Sequence, residues 1–93
     1  MDIDFDIKLK EIILAQSKIA LSADDADELF KRNDFDIKEE LGIDSLLIVH
    51  LVVEIEEAFD IEFEFEALDT NLLRNYSSLR KIVSDAIGEK NAV

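Results

Sequence analysis

The stretch LGIDSLLIVHLVVEIEEAF, residues 41–59, combines a strongly apolar run with a polar start. Ten of the fourteen side chains from Leu46 to Phe59 are apolar, yet the run follows directly on the pair Asp44-Ser45. Its β-branched middle, Ile48 to Val53, would also suit a buried strand on periodicity alone. The run continues through three glutamates to Phe59, however, which is longer than a typical strand. We therefore predict a helix from about Ser45 to Phe59.

This predicted helix has apolar residues on two sides, as expected at about 100° per residue. One side carries a stripe that suits a core, formed by Ile48, Leu51, Val52, Ile55, Ala58 and Phe59. The other side carries Leu46, Val49 and Val53 among His50, Glu54, Glu56, Glu57 and Asp60, with Leu47 at the border. Two interpretations stay open. Either a small bundle buries the helix all round, or an apolar strip rimmed by carboxylates is exposed to bind another protein.

Composition limits the class of protein. The 93 residues suffice for one domain, residues 1–93, and their 48% hydrophobic content favours a folded chain. There is no cysteine for a disulfide or a thiolate metal site. The N-terminal residues lack the basic region of a signal peptide, and no apolar stretch reaches the ~18 residues that span a bilayer. We expect a soluble, cytoplasmic monomer.

Charge is distributed unevenly along the chain. The formal net charge is −13, and residues 39–73 contain eleven acidic residues without a single Lys or Arg. Such a chain repels nucleic acid and anionic lipid, so neither is an expected partner. The acidic stretch surrounds the apolar run, which predicts docking to partner proteins with basic patches.

Proline is absent and glycine occurs only at positions 42 and 88, so helices joined by polar loops are expected. A first helix is predicted from about Asp4 to Ala20. A capping box of Ser22 and Asp25 predicts a short helix that turns Ala26, Leu29 and Phe30 inward. Residues 33–44 are predicted to form a loop that Phe35, Ile37 and Leu41 anchor.

Two more helices are predicted after residue 60. A short one is placed between Phe65 and Leu72. The last is capped by Ser77 or Ser78, stopped by Gly88, and turns Leu79, Ile82, Val83 and Ala86 inward.

Two segments, Asp2 to Ile7 and Asp60 to Glu66, alternate acidic with apolar residues as strands do. Pairing them would set like charges opposite each other, which destabilises a two-stranded sheet. A helix for the first segment and an extended loop for the second are therefore favoured.

Independent catalysis is not indicated by the motifs. The G-x-S-x-G elbow of serine hydrolases is absent around Ser45, and the only histidine, His50, lies about 140° around the helix. The acidic starts at Asp2 and Asp34 lack the glycine and the glutamate of a calcium-binding loop. No metal site is predicted, and a small enzyme using Ser45 would lack a base.

A serine at a helix start has two possible roles. Either Asp44 or Ser45 can cap the helix by accepting a hydrogen bond from a free backbone N–H. Alternatively, Asp44 is the cap and Ser45 carries a group, since the positive end of the helix dipole favours a phosphodiester.

The segment from Leu41 to Leu46, LGIDSL, precedes a helix that ends EEAFD at Asp60, and together they closely resemble the 4′-phosphopantetheine site of acyl carrier proteins. The match is densest from about Glu40 to Phe63, and the spacing of a terminal helix at residues 76–87 extends it. The resemblance implies an all-α fold: a small four-helix bundle with a long loop between helices 1 and 2 and a short third helix.

The resemblance also implies a non-catalytic carrier. Ser45 would receive 4′-phosphopantetheine from coenzyme A through a Mg²⁺-dependent phosphopantetheinyl transferase, and Asp44 would help to recruit that enzyme. The thiol of the arm would hold acyl groups as thioesters. Acyl-loading, condensing and tailoring enzymes with basic docking patches would recognise Leu46, Val49, His50, Val53, Glu56 and Glu57. The core positions Ile48, Leu51, Val52, Ile55, Phe59 and Phe63 line an acyl cavity in those carriers that sequester their cargo.

Some residues depart from the pattern of fatty-acid carriers. Leu47 and His50 stand where acidic or small polar residues are usual, and residues 24–34 resemble an insertion. These departures favour a freestanding carrier of a specialised pathway, such as a fatty-acid-like or polyketide pathway. The alternatives are an aminoacyl or peptidyl carrier and an acidic helical adaptor without a covalent group.

Overall fold

Most of the described chain is helical. The computed structural model describes residues 3–63 and 69–91. Its helices are, in order, α1 Ile3–Gln16, α2 Ala23–Lys31, α3 Ile37–Leu41, α4 Ser45–Phe59, α5 Thr70–Leu73 and α6 Tyr76–Asn91. One isolated antiparallel bridge joins Asp36 and Asn75, and no strand occurs within these two ranges. The predicted all-α class is confirmed.

Helices α1 and α4 run antiparallel, as contacts at both of their ends show. The rings of Phe5 and Phe59 lie 5.5 Å apart, at the start of α1 and the end of α4. At the opposite end, His50 Nδ1 lies 3.3 Å from Gln16 Oε1. The connection that follows α1 is therefore brought beside the start of α4.

One hydrophobic core joins helices α1, α3, α4 and α6. Its most completely buried side chains, each at most 1% exposed, are Leu9, Ile13, Ile37, Leu41, Ile43, Leu51, Val52, Ile55, Leu79 and Val83. Burying an aliphatic side chain of this size stabilises a fold by about 1.5–3 kcal/mol, so these residues dominate its cohesion.

The connection between α1 and α4 contains two short helices rather than a continuous loop. Helix α2 begins as predicted, because Ser22 Oγ accepts a hydrogen bond from Asp25 N at 3.1 Å. The prediction of a loop over residues 33–44 is wrong, since α3 lies within it. Asp36 caps α3 by accepting from Lys38 N, and Gly42 ends it in a left-handed conformation with φ of 69°.

The segment before α3 is held against the segment before α6. Ile37 N donates to Arg74 O at 2.7 Å, and Tyr76 N donates to Phe35 O at 3.0 Å. The Arg74 guanidinium adds a hydrogen bond from Nε to Asp36 Oδ2 at 2.8 Å and an ion pair in which Nη2 lies 2.7 Å from the same oxygen. These contacts link parts of the chain that are far apart in sequence and fix the position of α3, the helix that precedes the start of α4.

Three predicted helix ends are corrected. Helix α1 ends at Gln16 rather than Ala20, because Lys18 N donates to Leu41 O and draws the chain away from the helix axis. The last helix begins at Tyr76, and Asn75 Oδ1 rather than a serine accepts from Ser78 N at 3.1 Å. That helix continues through Gly88 to Asn91, so Gly88 is not its stop.

Other predictions have mixed outcomes. Residues 3–7 are helical and residues 61–63 are without regular structure, so the strand alternative is wrong there. Helix α5, Thr70–Leu73, overlaps only the end of the short helix predicted between Phe65 and Leu72, and residues 64–68 lie outside the described ranges. In the part of the chain that is described, no helix has the length and apolar character needed to cross a bilayer.

Candidate functional site

Ser45 is the first residue of α4, and Asp44 caps that helix. Asp44 Oδ1 accepts a hydrogen bond from Leu47 N at 3.0 Å, and Asp44 O accepts from Ile48 N at 2.8 Å. The role of helix cap therefore belongs to Asp44. Ser45 is exposed, and its hydroxyl makes no hydrogen bond within residues 3–63 and 69–91.

The residues before Ser45 fix its position. Leu41 and Ile43 are fully buried on either side of Gly42, whose left-handed backbone turns the chain between α3 and α4. Glycine adopts this conformation without the steric cost that other residues incur. The turn is thus anchored in the core, while Ser45, which follows it at the start of α4, is exposed.

The electrostatics at Ser45 suit an anionic group. Helix α4 has 15 residues and no acidic residue in its first turn. The free N–H groups and the positive end of the helix dipole stabilise negative charge at this point. A phosphodiester on Ser45 Oγ would therefore gain from the helix dipole, and Asp44 rather than Ser45 makes the capping hydrogen bond.

Lys18 lies beside this turn, which sequence reasoning did not predict. Its backbone N donates to Leu41 O at 2.9 Å, and its Nζ lies 3.8 Å from Asp44 Oδ2. Ser17 Oγ also donates to Leu41 O at 3.2 Å. The sequence gives one indirect indication of this contact. Residues 39–73 contain no Lys or Arg, so any cation at the site must come from another segment.

The outer face of α4 carries the predicted apolar strip. Leu46, Val49 and Val53 are 78%, 44% and 36% exposed. On the inner face, Ile48, Leu51, Val52 and Ile55 are buried, while Ala58 and Phe59 are half-buried. The interpretation that the bundle buries α4 all round is therefore wrong, and the strip is open for contact with another molecule.

The polar residues around this strip differ in their contacts. Glu57 is exposed, and His50 is exposed with Nδ1 near Gln16 Oε1. Glu56 is half-buried, and its Oε2 accepts a hydrogen bond from Phe63 N at 2.8 Å. Glu56 thus stabilises the chain leaving α4, a structural contact that its position on the rim did not indicate.

The structure therefore brings Asp44, Ser45 and the apolar strip onto one continuous surface at and beyond the start of α4. A comparison with family models gives a match to the family described as "Phosphopantetheine attachment site" over residues 8–85. No curated protein and no solved structure gives a significant match to this chain. Members of this family are carriers rather than catalysts, and they interact with phosphopantetheinyl transferases and biosynthetic enzymes. Because the match covers most of the 93 residues, this chain belongs to the phosphopantetheine-attachment family of acyl carrier-type proteins, whose domain is the site of covalent 4′-phosphopantetheine attachment.

Proposed function

We propose that Ser45 is the attachment residue and that this protein carries acyl groups as thioesters to partner enzymes of a fatty-acid-like, polyketide or other specialised biosynthesis. The observation that carries the proposal is the exposed, unbonded hydroxyl of Ser45 next to the capping carboxylate of Asp44. When bound, the arm supplies a thiol on a long flexible tether. The chain itself supplies the hydroxyl, the rigid start of α4 and the docking surface.

Loading of the arm is a phosphoryl-type transfer that an external enzyme catalyses. The Ser45 oxygen forms a bond to the phosphorus that bears the pantetheine in coenzyme A, and the diphosphate bond to the nucleotide breaks. Adenosine 3′,5′-bisphosphate leaves, and the hydroxyl proton passes to a base of the transferase. The described part of the chain offers Ser45 no catalytic base, since His50 contacts Gln16 on α1.

Docking is proposed to use the outer face of α4. A small apolar centre of Leu46, Val49 and Val53, rimmed by His50 and Glu57, suits a partner with a shallow apolar dimple among Arg or Lys residues. Contacts of this size are weak and sensitive to salt. A single-domain, cytoplasmic monomer with such a surface can visit a transferase and then loading, condensing and tailoring enzymes in turn.

The test is intact mass spectrometry after incubation with coenzyme A, Mg²⁺ and a broad-specificity phosphopantetheinyl transferase. We expect the wild-type protein to gain the mass of one phosphopantetheine and Ser45→Ala to gain none. Ser78→Ala is a matched control that should load as the wild type does. No gain with several transferases that load a reference carrier would refute the proposal.

The same exposed strip would also suit an acidic adaptor that binds a basic protein without a covalent group. Leu46→Ser distinguishes these functions when transferase turnover is measured. We expect kcat/KM for loading to fall, while Ile7→Ser, which changes another exposed apolar residue, 50% exposed on α1, leaves it unchanged. An adaptor would show no loading in either variant.

A further inference from the structure

A groove lies next to the candidate site, between the end of α1, the connection after it and the start of α2. Its volume is about 540 Å³, and its lining includes Leu14, Ser17, Lys18, Ile19, Leu21 and Ala26. Pockets that bind small molecules commonly measure ~300–1,000 Å³ and combine apolar walls with a few polar groups. This groove lies in that size range, and its lining is mixed: apolar side chains on one part, and Ser17, Lys18 and Ser22 on the other.

The groove shares a wall with the turn that presents Ser45. Ile19 and Lys18 pack over Gly42: a Cβ at that glycine would lie 3.2 Å from Lys18 Cβ and 3.7 Å from Ile19 Cγ1. Backbone and side-chain bonds from Lys18 and Ser17 to Leu41 O hold this wall in place. Lys18 and Ile19 therefore line the groove and also contact the turn that precedes Ser45.

The groove offers a cation where the neighbouring chain has none. Lys18 is exposed and lies 3.8 Å from Asp44, a long surface ion pair that stabilises little and rearranges readily. The arm would bring a phosphodiester to the residue next to Asp44. Because residues 39–73 contain no Lys or Arg, Lys18 is suited to pair with that new negative charge.

The inner part of the groove is apolar. Ala26 is buried at its floor, and Leu14 and Leu21 are half-buried where they pack against the core. Ile19 forms the outer wall and is 44% exposed. An aliphatic chain in the groove would remove this apolar surface from water, which favours its binding.

We infer that this groove is the resting site of the acylated arm: Lys18 pairs with the phosphodiester, and the apolar walls receive a saturated acyl chain. The inference rests on the proposed function. This resting site differs from an acyl cavity inside the bundle, because the fully buried Leu51 and Ile55 keep their contacts with the core. Ala23 and Ala26 of helix α2 complete the lining.

The test uses a ¹³C-labelled octanoyl chain, loaded from octanoyl-coenzyme A by a transferase and verified by intact mass. We expect nuclear Overhauser effects from the labelled chain to methyl groups of Leu14, Ile19 and Leu21. Effects to Leu51 and Ile55 instead, or to no protein methyl group, would overturn the inference while leaving the carrier function intact. If the protein gains no mass on incubation, the proposed function is refuted, and the inference with it.

Two variants of exposed residues, each with a control, test the two parts of the inference: the acyl chain in the groove and the ion pair with the phosphodiester. Ile19→Ser should lose the effects between chain and groove, and Ile7→Ser, a matched exposed isoleucine, should keep them. Lys18→Glu should shift the ³¹P resonance of the phosphodiester, whereas Lys81→Glu on α6 should not. Amide spectra of each loaded variant check that the fold is retained, and equal behaviour of variant and control would contradict the assignment.

Discussion

Asp44 Oδ1 accepts a hydrogen bond from Leu47 N at 3.0 Å, so the residue before Ser45 caps α4 and the serine itself does not. Because Asp44 supplies the capping bond, the start of the helix is stabilised without using the Ser45 hydroxyl. We propose that the carboxylate has a second role beside its observed role as a cap, namely as a negative charge toward a basic partner.

Two substitutions at Asp44 separate these effects. Asp44→Ala removes the cap and should lower the free energy of unfolding by about 1 kcal/mol. Asp44→Asn keeps a capping oxygen and should stay within about 0.5 kcal/mol of the wild type. Both lose the charge, so both should load more slowly at the transferase. Urea denaturation and loading rates check this, and a normal loading rate for Asp44→Asn would show that the charge plays no part.

Charge reversal at Glu57 should affect partners more than folding, because this side chain is exposed. We expect Glu57→Lys to lower transferase kcat/KM by about fivefold, equivalent to about 1 kcal/mol for one exposed charge pair, and the loss to shrink in high salt. Glu28→Lys on α2 is the matched control. Equal losses for the two variants would place docking elsewhere than α4.

Glu56 should behave differently from Glu57, because its carboxylate accepts the hydrogen bond from Phe63 N. Glu56→Lys leaves that N–H without its partner and should lower the free energy of unfolding by about 1 kcal/mol or more. Thermal or urea unfolding of the two variants measures the contrast. Unchanged stability in Glu56→Lys would show that the bond contributes nothing.

Replacing each of the two glycines by alanine should change the stability in opposite directions. Gly42→Ala places a side chain at φ of 69° and its Cβ 3.2 Å from Lys18 Cβ, so a loss of about 1–2 kcal/mol in stability is expected. Gly88 lies within α6, where an added Cβ would meet no other described part of the chain within 4 Å, and Gly88→Ala should gain up to about 1 kcal/mol. Urea denaturation of both variants provides the comparison, and a stabilising Gly42→Ala would contradict the role of the turn.

Acid should weaken the contact that holds α3 to the start of α6. The hydrogen bond from Arg74 lowers the pKa of Asp36 below its ordinary value. A carboxyl whose pKa is lower in the folded chain stabilises the fold above its unfolded pKa, and this contribution is lost as the pH falls through the folded pKa. The difference in unfolding free energy between wild type and Asp36→Asn should therefore be full at neutral pH and shrink below about pH 4. A difference that persists on acidification would argue against the Arg74 pair as its source.

Local signals predicted the parts of the fold that local interactions decide. The bounds of α4 follow from the cap at Asp44 and the apolar period that ends at Phe59, and both are within one segment. The same period placed Leu46, Val49 and Val53 opposite the core stripe but left open whether that side is buried, and the structure shows it to be exposed. Ser45 and Asp44 were identified from a short motif whose spacing depends on the same helix start.

Contacts between distant segments decided the remainder. The end of α1 depends on bonds from residues 17 and 18 to Leu41 O, and the position of α3 depends on Arg74. Glycine ends a helix only when its backbone turns left-handed, as at Gly42 and not at Gly88. The proximity of Lys18 to Asp44 results from the antiparallel packing of α1 on α4, which no motif in either segment encodes.

The location of the modified residue is the most direct test of the central claim. Trypsin should release residues 39–74 as one peptide, because Lys38 and Arg74 flank a stretch without Lys or Arg, and Ser45 is its only serine. Tandem mass spectrometry of the loaded protein should place one phosphopantetheine on this peptide and assign it to Ser45. A loaded protein whose added mass lies on any other peptide, or on Thr70 within this one, would contradict the account.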